Sequence, residues 1–367
     1  VRQFRQAGLV LFARTNTPEL GISFTTESHY LGACRNPWNT QLTPGGSSGG
    51  AACAVAARVL PMAHGSDGGG SLRVPASCCG VFGFKPSGAL KANKAADVAA
   101  QWGWLASQHV ISLSVRDSAA MLDCLHPLEP QKKSPATYLQ SLDSAPKKLH
   151  IAVCDQLLQP YPPQEDASQT LHHTIKLCQQ LGHEIHEDGP KFSRERLMQA
   201  FMIVVLTHTQ LTLQQRAQLL GRPLSAEDVE PITWLFYQQA QAYQEDDYLQ
   251  AHWVLQQEVA KITAFFERYD MLLTPTTSQA PLPLGVLAGN NTDFADYNQK
   301  QGQFCPYTAL ANITGQPAMS VPLYWTHKNE PIGSQFIGRL GAEMELLQLA
   351  KQLEMLQPWF HKRPPLV

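Results

Sequence analysis

Two serines stand in glycine clusters, Ser47 in GGSSGG (Gly45–Gly50) and Ser71 at the end of GSDGGGS (Gly65–Ser71), 24 residues apart in a stretch with eight glycines and four serines from Gly45 to Ala76. With Gly and Ser each near ~7% of residues, GGSSGG arises by chance about 10⁻⁷ times per starting position, so the pattern calls for a chemical reading. A phosphate-cradling loop needs GxxxxGK[ST], and no lysine follows either cluster. A dinucleotide loop needs GxGxxG straight after a strand, and Gly65-Ser-Asp-Gly68-Gly-Gly does not space its glycines so. Nucleophilic catalysis remains. An attacking serine needs a base, and the carbonyl under attack needs hydrogen-bond donors for its oxyanion. Gly68, Gly69 and Gly70 lack the Cβ that would keep successive backbone N–H groups from converging on one point. One such donor is worth ~10²–10³ in rate. Asp67 and Arg73 flank this turn and have two readings: a pair that holds it open, or an ordinary surface pair.

These groups need rigid supports. SGGAACAVAARVL (48–60) reads as a small-residue helix with Ser47 and Ser48 capping its start and Pro61 ending it. MAH then leads into a turn, GSDGGGS. Strands are expected at Leu9–Ala13, after a first helix closed by Gly8, and at VFGFK (81–85), HVISLSV (109–115), LHIAV, HEIHE, MLLTP, PAMSVPL and PIGSQFIG. Helices are expected at RDSAAMLDCL, at 164–181 with Gly182 closing it, and at AEMELLQLAKQLEML. Residues 126–148 read as an exposed connector. Residues 192–269 read as helix almost throughout, with a capping-box start at Ser225–Asp228 and a stripe of Val254 or Leu255, Val259, Ile262, Phe265 and Tyr269. Alternating strands and helices predict an α/β layered fold with helices on both sheet faces. The length allows one large domain or two medium ones, with 192–269 as a helical cover or an insertion.

Composition narrows the function. The net charge is −2 and charged residues are 16% of the chain, without a basic run, which speaks against a nucleic-acid partner. No apolar stretch approaches the ~20 residues of a membrane span. The eight cysteines form no CxxC and read as buried, reduced thiols, which suits the cytoplasm. The thirteen histidines show no ligand spacing, so no metal site is expected.

The Gly45–Ala76 segment resembles the amidase signature family. The likeness continues through FARTNTPELG (with Arg14 where the family has lysine), CRNPWN, VFGFKPS, YDMLLTPTT, NITGQPAMSVP and PIGSQFIGR. TTES, RNPWN and GRPLSAEDVE look closest to the 6-aminohexanoate-cyclic-dimer hydrolase branch. The resemblance implies a Ser–cis-Ser–Lys triad, with Ser71 as nucleophile, Ser47 as the bridging serine after a cis peptide from Gly46, and Gly68, Gly69 and Gly70 forming the oxyanion hole. Ser48 would sit in the supporting network. It further implies an α/β fold with a large mixed β-sheet covered by helices on both faces, a single domain over 1–367 with 192–269 as a helical cover within it, no cofactor, a small or oligomeric amide as substrate, and an acyl-enzyme.

The family's lysine lies in an upstream K-D motif, further before Ser47 than the 46 residues present. Lys85 matches a structural lysine of the family, and Lys91 and Lys94 have no motif support. The chain starts in mid-pattern, so the lysine is expected upstream of Val1; the other reading is a chain without its base. An amidotransferase A-type subunit and a non-catalytic scaffold are the rival functions, and a homodimer is the ordinary expectation for quaternary state. Trp102, Trp104, Phe201, Trp234 and Phe236 are candidates for a pocket wall, with ordinary packing as the alternative. Gln335 is expected to be structural and His64 to be buried packing.

Overall fold

Strands with apolar side chains on both faces need cover on both sides, and this requirement organises the chain. The computed structural model describes residues 2–11, 13–88, 103–126, 137–144 and 146–365. A small hairpin of β1 (Glu27–Ser28) and β2 (Gly32–Ala33) stands apart from the main sheet. The main sheet comprises β3 (Met62–Asp67), β4 (Phe82–Lys85), β5 (Ser107–Ser112), β6 (His150–Val153), β7 (Glu184–Glu187), β8 (Met271–Pro275), β9 (Ala318–Trp325) and β10 (Pro331–Gly338). Their spatial order is β3-β5-β4-β9-β10-β8-β6-β7. Pairing is antiparallel from β3 to β8 and parallel from β8 through β6 to β7, so the sheet is mixed.

The helices are α1 (Arg2–Gln6), α2 (Gly49–Ala56), α3 (Arg73–Cys79), α4 (Val115–Leu125), α5 (Tyr138–Ser141), α6 (Glu165–Gln180), α7 (Arg194–Leu220), α8 (Pro231–Ala240), α9 (Glu245–Phe265), α10 (Phe294–Phe304), α11 (Ala309–Ile313) and α12 (Glu343–Leu356). Alternation along the strands sorts the core into two layers. Ile151, Val153, Met271, Leu273, Met319 and Phe336 pack with α4, α6 and α12. Ala152, Leu272, Ala318 and Ile337 face the layer that holds α3, α7, α8, α9 and α11. The helices expected at 192–269 therefore lie on one sheet face, as three segments parted at Gly221 and at Gln241–Gln244. No helix among the described residues is long and apolar enough to cross a membrane.

Several local expectations need correction. Leu9–Ala13 forms no strand in its described residues; the Leu9 N–H instead bonds back to Phe4 O, in the chain that leaves α1. α2 ends at Ala56 rather than Leu60, because Arg58 takes a positive φ of 63° and sends its guanidinium to the carbonyls of Phe360 and Lys362. Strand β3 runs through Gly65-Ser-Asp67, so the turn begins only at Gly68. The connector reading fails at its described end: Tyr138 is buried, and the Asp123 carboxylate accepts from the Tyr138 and Leu139 N–H groups. Residues 127–136 and 145 of that stretch lie outside the described residues. The Ser225–Asp228 capping box closes a single 3₁₀ turn, and α8 starts later, at Pro231.

Capping supplies a modest test of these local rules. The Ser114 hydroxyl accepts from the Asp117 N–H at the start of α4. Replacing Ser114 with alanine should lower unfolding free energy by about 1 kcal/mol in urea titrations. No measurable change would show that solvent satisfies that N–H equally well.

Candidate active site

The site is built where strand β3 stops. After Asp67 the chain turns through Gly68-Gly-Gly-Ser71 and enters α3, a helix whose seven residues are all buried. Buried charge needs partners, and Arg73 has a full set. Its Nε and Nη2 donate to the two Asp67 carboxylate oxygens at 3.0 and 2.8 Å. Nη1 donates to Thr308 O (2.8 Å) and Gln335 Oε1 (2.6 Å), and Nη2 to Asn312 Oδ1 (2.7 Å). Asn312 Nδ2 returns to Asp67 O, Asp67 Oδ1 and Leu105 O at 2.8–3.0 Å. The Asp67–Arg73 pair has no solvent exposure, so the surface-pair reading is excluded. Burial by itself would raise the Asp67 carboxyl. The Arg73 charge and hydrogen bonds, helped by Lys85 and Asn312, overcome that and hold it below its ordinary value of 3.8.

This network grips the turn from behind. The Leu72 N–H donates to Asp67 Oδ2 (3.1 Å), and the Thr308 hydroxyl donates to Gly69 O (2.6 Å). Gly70 has a φ of 141°, and a Cβ there would lie 2.3 Å from Thr308 Oγ1, so only glycine fits. Gln335, expected to be structural, is part of the same network and also donates to Thr274 Oγ1 at 3.0 Å.

The first serine cluster docks against the second. The Ser48 N–H donates to Ser71 O (3.3 Å), and Ser48 Oγ exchanges hydrogen bonds with the Ser66 N–H and carbonyl, both at 3.2 Å. That engagement explains a correction: Ser48 makes no side-chain cap on α2. Thr26 does that work, accepting from the Gly49 N–H and donating to Gly45 O. The Gly46–Ser47 peptide is cis. A Cβ on Gly46 would come within 2.4 Å of Thr25 O, so the TTES segment leaves no room for a larger residue.

Ser47, Ser66, Gly68, Gly69 and Ser71 line one chamber of about 760 Å³, within the size range of small-molecule sites. Gly70 is not among the lining residues. The far wall comes from α7 (Met198, Phe201, Met202, Val205) and Phe236 of α8; amide side chains reach in from Gln108, Gln159, Gln215, Asn298 and Gln299. No charged side chain lines the chamber among the described residues.

Of the aromatic candidates, Phe201 and Phe236 are in the wall, whereas Trp104 packs in the adjacent core and Trp234 does not reach the chamber. Trp102, Lys91 and Lys94 lie outside the described residues. Lys85 is buried away from the chamber with its Nζ donating to Pro86 O at 3.0 Å. His64 is exposed rather than buried. It lies on the outer side of strand β3, which is at the sheet edge, with its ring edge-on to Phe4 at 5.4 Å. Sequence reasoning missed Thr26, Thr308 and Asn312. Asn312 opens the NITGQP segment, where an amide between apolar Leu310 and Ile313 was the available signal.

The amidase family model matches residues 1–347. The chain is 31% identical to a 6-aminohexanoate-cyclic-dimer hydrolase of Paenarthrobacter ureafaciens, an alignment that spans 100% of this chain and 77% of that protein. It is 30% identical to a lipoamidase of Enterococcus faecalis, covering 96% of this chain and 50% of the relative. A solved structure of 6-aminohexanoate cyclic dimer hydrolase superposes with a TM-score of 0.88 at 30% identity, over 100% of this chain and 78% of that one. These relatives support an amide hydrolase over an amidotransferase subunit. With its glycine-framed serines, its mixed sheet and these likenesses together, the chain belongs to the amidase family.

Proposed function

We propose that Ser71 is the nucleophile of this amide hydrolase and that Ser47 carries the proton away from it. The observation that carries the reading is the meeting of both serines at one chamber, on a turn held by buried Arg73. Ser71 Oγ attacks the amide carbonyl carbon, passing its proton to Ser47 as Ser47 gives its own to a base. The oxyanion is received by backbone N–H groups of the Gly68-Gly69-Gly70-Ser71 turn. The C–N bond then breaks and the amine leaves with a proton. Water attacks the acyl ester, releasing the acid and restoring Ser71. The family resemblance assigns the base to a lysine; among the described residues no lysine lines the chamber.

The chamber also bears on the substrate. A charge brought into it would meet no counter-charge from the described lining, and desolvating an unpaired charge is costly. Amide side chains beside an apolar wall suit a neutral acyl arm that carries further amide groups, as in a short oligomer. The amide acted on is therefore proposed to be small, neutral and partly aliphatic. The eight cysteines, all unpaired, suit a cytoplasmic setting.

Two measurements test this. A fluorophosphonate should form a covalent adduct that peptide mass mapping places on Ser71; an adduct elsewhere, or none, would refute the assignment. Matched amides differing only by a carboxylate on the acyl arm should differ in kcat/KM by at least about tenfold in favour of the neutral one. Equal rates would refute the neutral-substrate reading while leaving Ser71 untouched.

A further inference from the structure

We propose that His150, Glu184 and His186 form a binding site for a divalent transition-metal ion, Zn²⁺ first among them, at the outer edge of the sheet. β6 and β7 run parallel, with His150 opposite Glu184 and Ala152 opposite His186. Side chains two apart on a strand share a face, as do register partners on neighbouring strands. The pleat thus puts all three side chains on one side.

The geometry fits an ion. Among the described residues, these three side chains are a His/Cys/Asp/Glu set whose donor atoms all lie within 4.8 Å of one another. His150 Nδ1 is 3.0 Å and His186 Nε2 is 3.8 Å from the same carboxylate oxygen, Glu184 Oε2. Ligands bonded to zinc at ~2.0–2.1 Å in a tetrahedron stand roughly 3.3 Å apart, so shifts of a few tenths of an ångström bring both histidines to the Glu184 distance, and the two imidazole donors, no more than 4.8 Å apart, need to close by about 1.5 Å at most. The imidazole rings lie nearly parallel, 13° between planes and 5.9 Å between centroids. Two imidazoles and one carboxylate favour Zn²⁺, Ni²⁺ or Cu²⁺ over Mg²⁺ or Ca²⁺. Water would complete the shell.

The surroundings decide between this and a plain surface ion pair. Lys148 Nζ holds the other carboxylate oxygen, Oε1, at 2.6 Å, which leaves Oε2 to the histidines. The backbone beneath is pinned: the His150 N–H donates to Asp270 Oδ2 (2.9 Å) and the Glu184 N–H to Leu149 O (2.9 Å). The three side chains are 40–51% exposed, so an ion reaches them without any opening of the fold. β7 is the last strand of the sheet, and a bound ion would tie this edge to β6.

The test is calorimetric titration of the whole protein with ZnCl₂, repeated with NiCl₂ so that binding at thiols is separated from binding at imidazoles. One site is expected, weakened at least about tenfold in His150→Ala and in His186→Ala. Added Zn²⁺ should raise Tm in the parent and not in these variants. Lys148→Ala should retain the site, and circular dichroism should show all variants folded. Amide hydrolysis should be equal in all of them, since none of these residues lines the chamber. Binding of equal strength in the His150→Ala/His186→Ala double variant, or no binding of either ion by the parent at about 1 mM, overturns the proposal.

Discussion

Ser71→Ala is expected to lower amide hydrolysis by about 10⁶-fold, the scale seen when a serine nucleophile is removed from an otherwise intact site. The Ser71 side chain lines the chamber, while its backbone is held by Ser48 N–H and by the Arg73-centred network. Removing one hydroxyl therefore takes away the atom that forms the acyl bond and leaves the turn in place. Ser47→Ala should be milder, about 10²–10⁴-fold, because it interrupts proton transfer and not bond formation. The double variant should be no worse than Ser71→Ala alone, since both residues serve one step. Steady-state kcat/KM on a neutral amide, with circular dichroism to confirm folding, reads all three. Turnover retained in Ser71→Ala would sink the proposed mechanism, and strict additivity in the double variant would sink the relay.

How much of this was legible in the residues varies with how local the cause is. The sheet strands VFGFK, LHIAV, MLLTP and PIGSQFIG are short apolar runs between turn signals, and all appear as β4, β6, β8 and β10. The glycine clusters were legible because few backbones need so many residues without a Cβ. What escaped was non-local. Whether Asp67 and Arg73 pair at the surface or in the core depends on Thr308, Asn312 and Gln335, which lie more than 230 residues away. Ser48 reads as a helix cap until Ser66, on a neighbouring strand, takes its hydroxyl. Thr26 then inherits the cap from a loop that no sequence window connects to α2. The His150–Glu184–His186 cluster is invisible to motif spacing for the same reason, since a strand register and not a helical turn brings its members together. Lys91, Lys94 and Trp102 stay as sequence expectations alone.

The other large effect concerns stability. Arg73→Met should cost about 3–5 kcal/mol, the penalty for leaving a buried partner charge uncompensated, against a total of ~5–15 kcal/mol for a typical domain. The loss is large because one guanidinium satisfies Asp67, Thr308, Gln335 and Asn312 together, with no solvent exposure to repair the gap. Urea unfolding at neutral pH measures it. A cost under about 1 kcal/mol would mean that the network reorganises around a water. Asp67 gives the same contact a pH signature. Its folded carboxyl lies below 3.8, so the unfolded chain takes up the proton first as pH falls. The stabilisation from Asp67 is thus complete well above pH 3.8 and fades as the pH drops below it. Asp67→Asn should lower stability at neutral pH and flatten the acid limb of the stability curve. If the limb keeps its slope in Asp67→Asn, acid sensitivity arises at other carboxylates, and the pair's contribution is geometric rather than electrostatic. Activity separates those cases further. A geometric role predicts that Asp67→Asn, which keeps most hydrogen bonds to Arg73 and Leu72, retains far more turnover than Arg73→Met, because the turn that carries Ser71 is still held from behind.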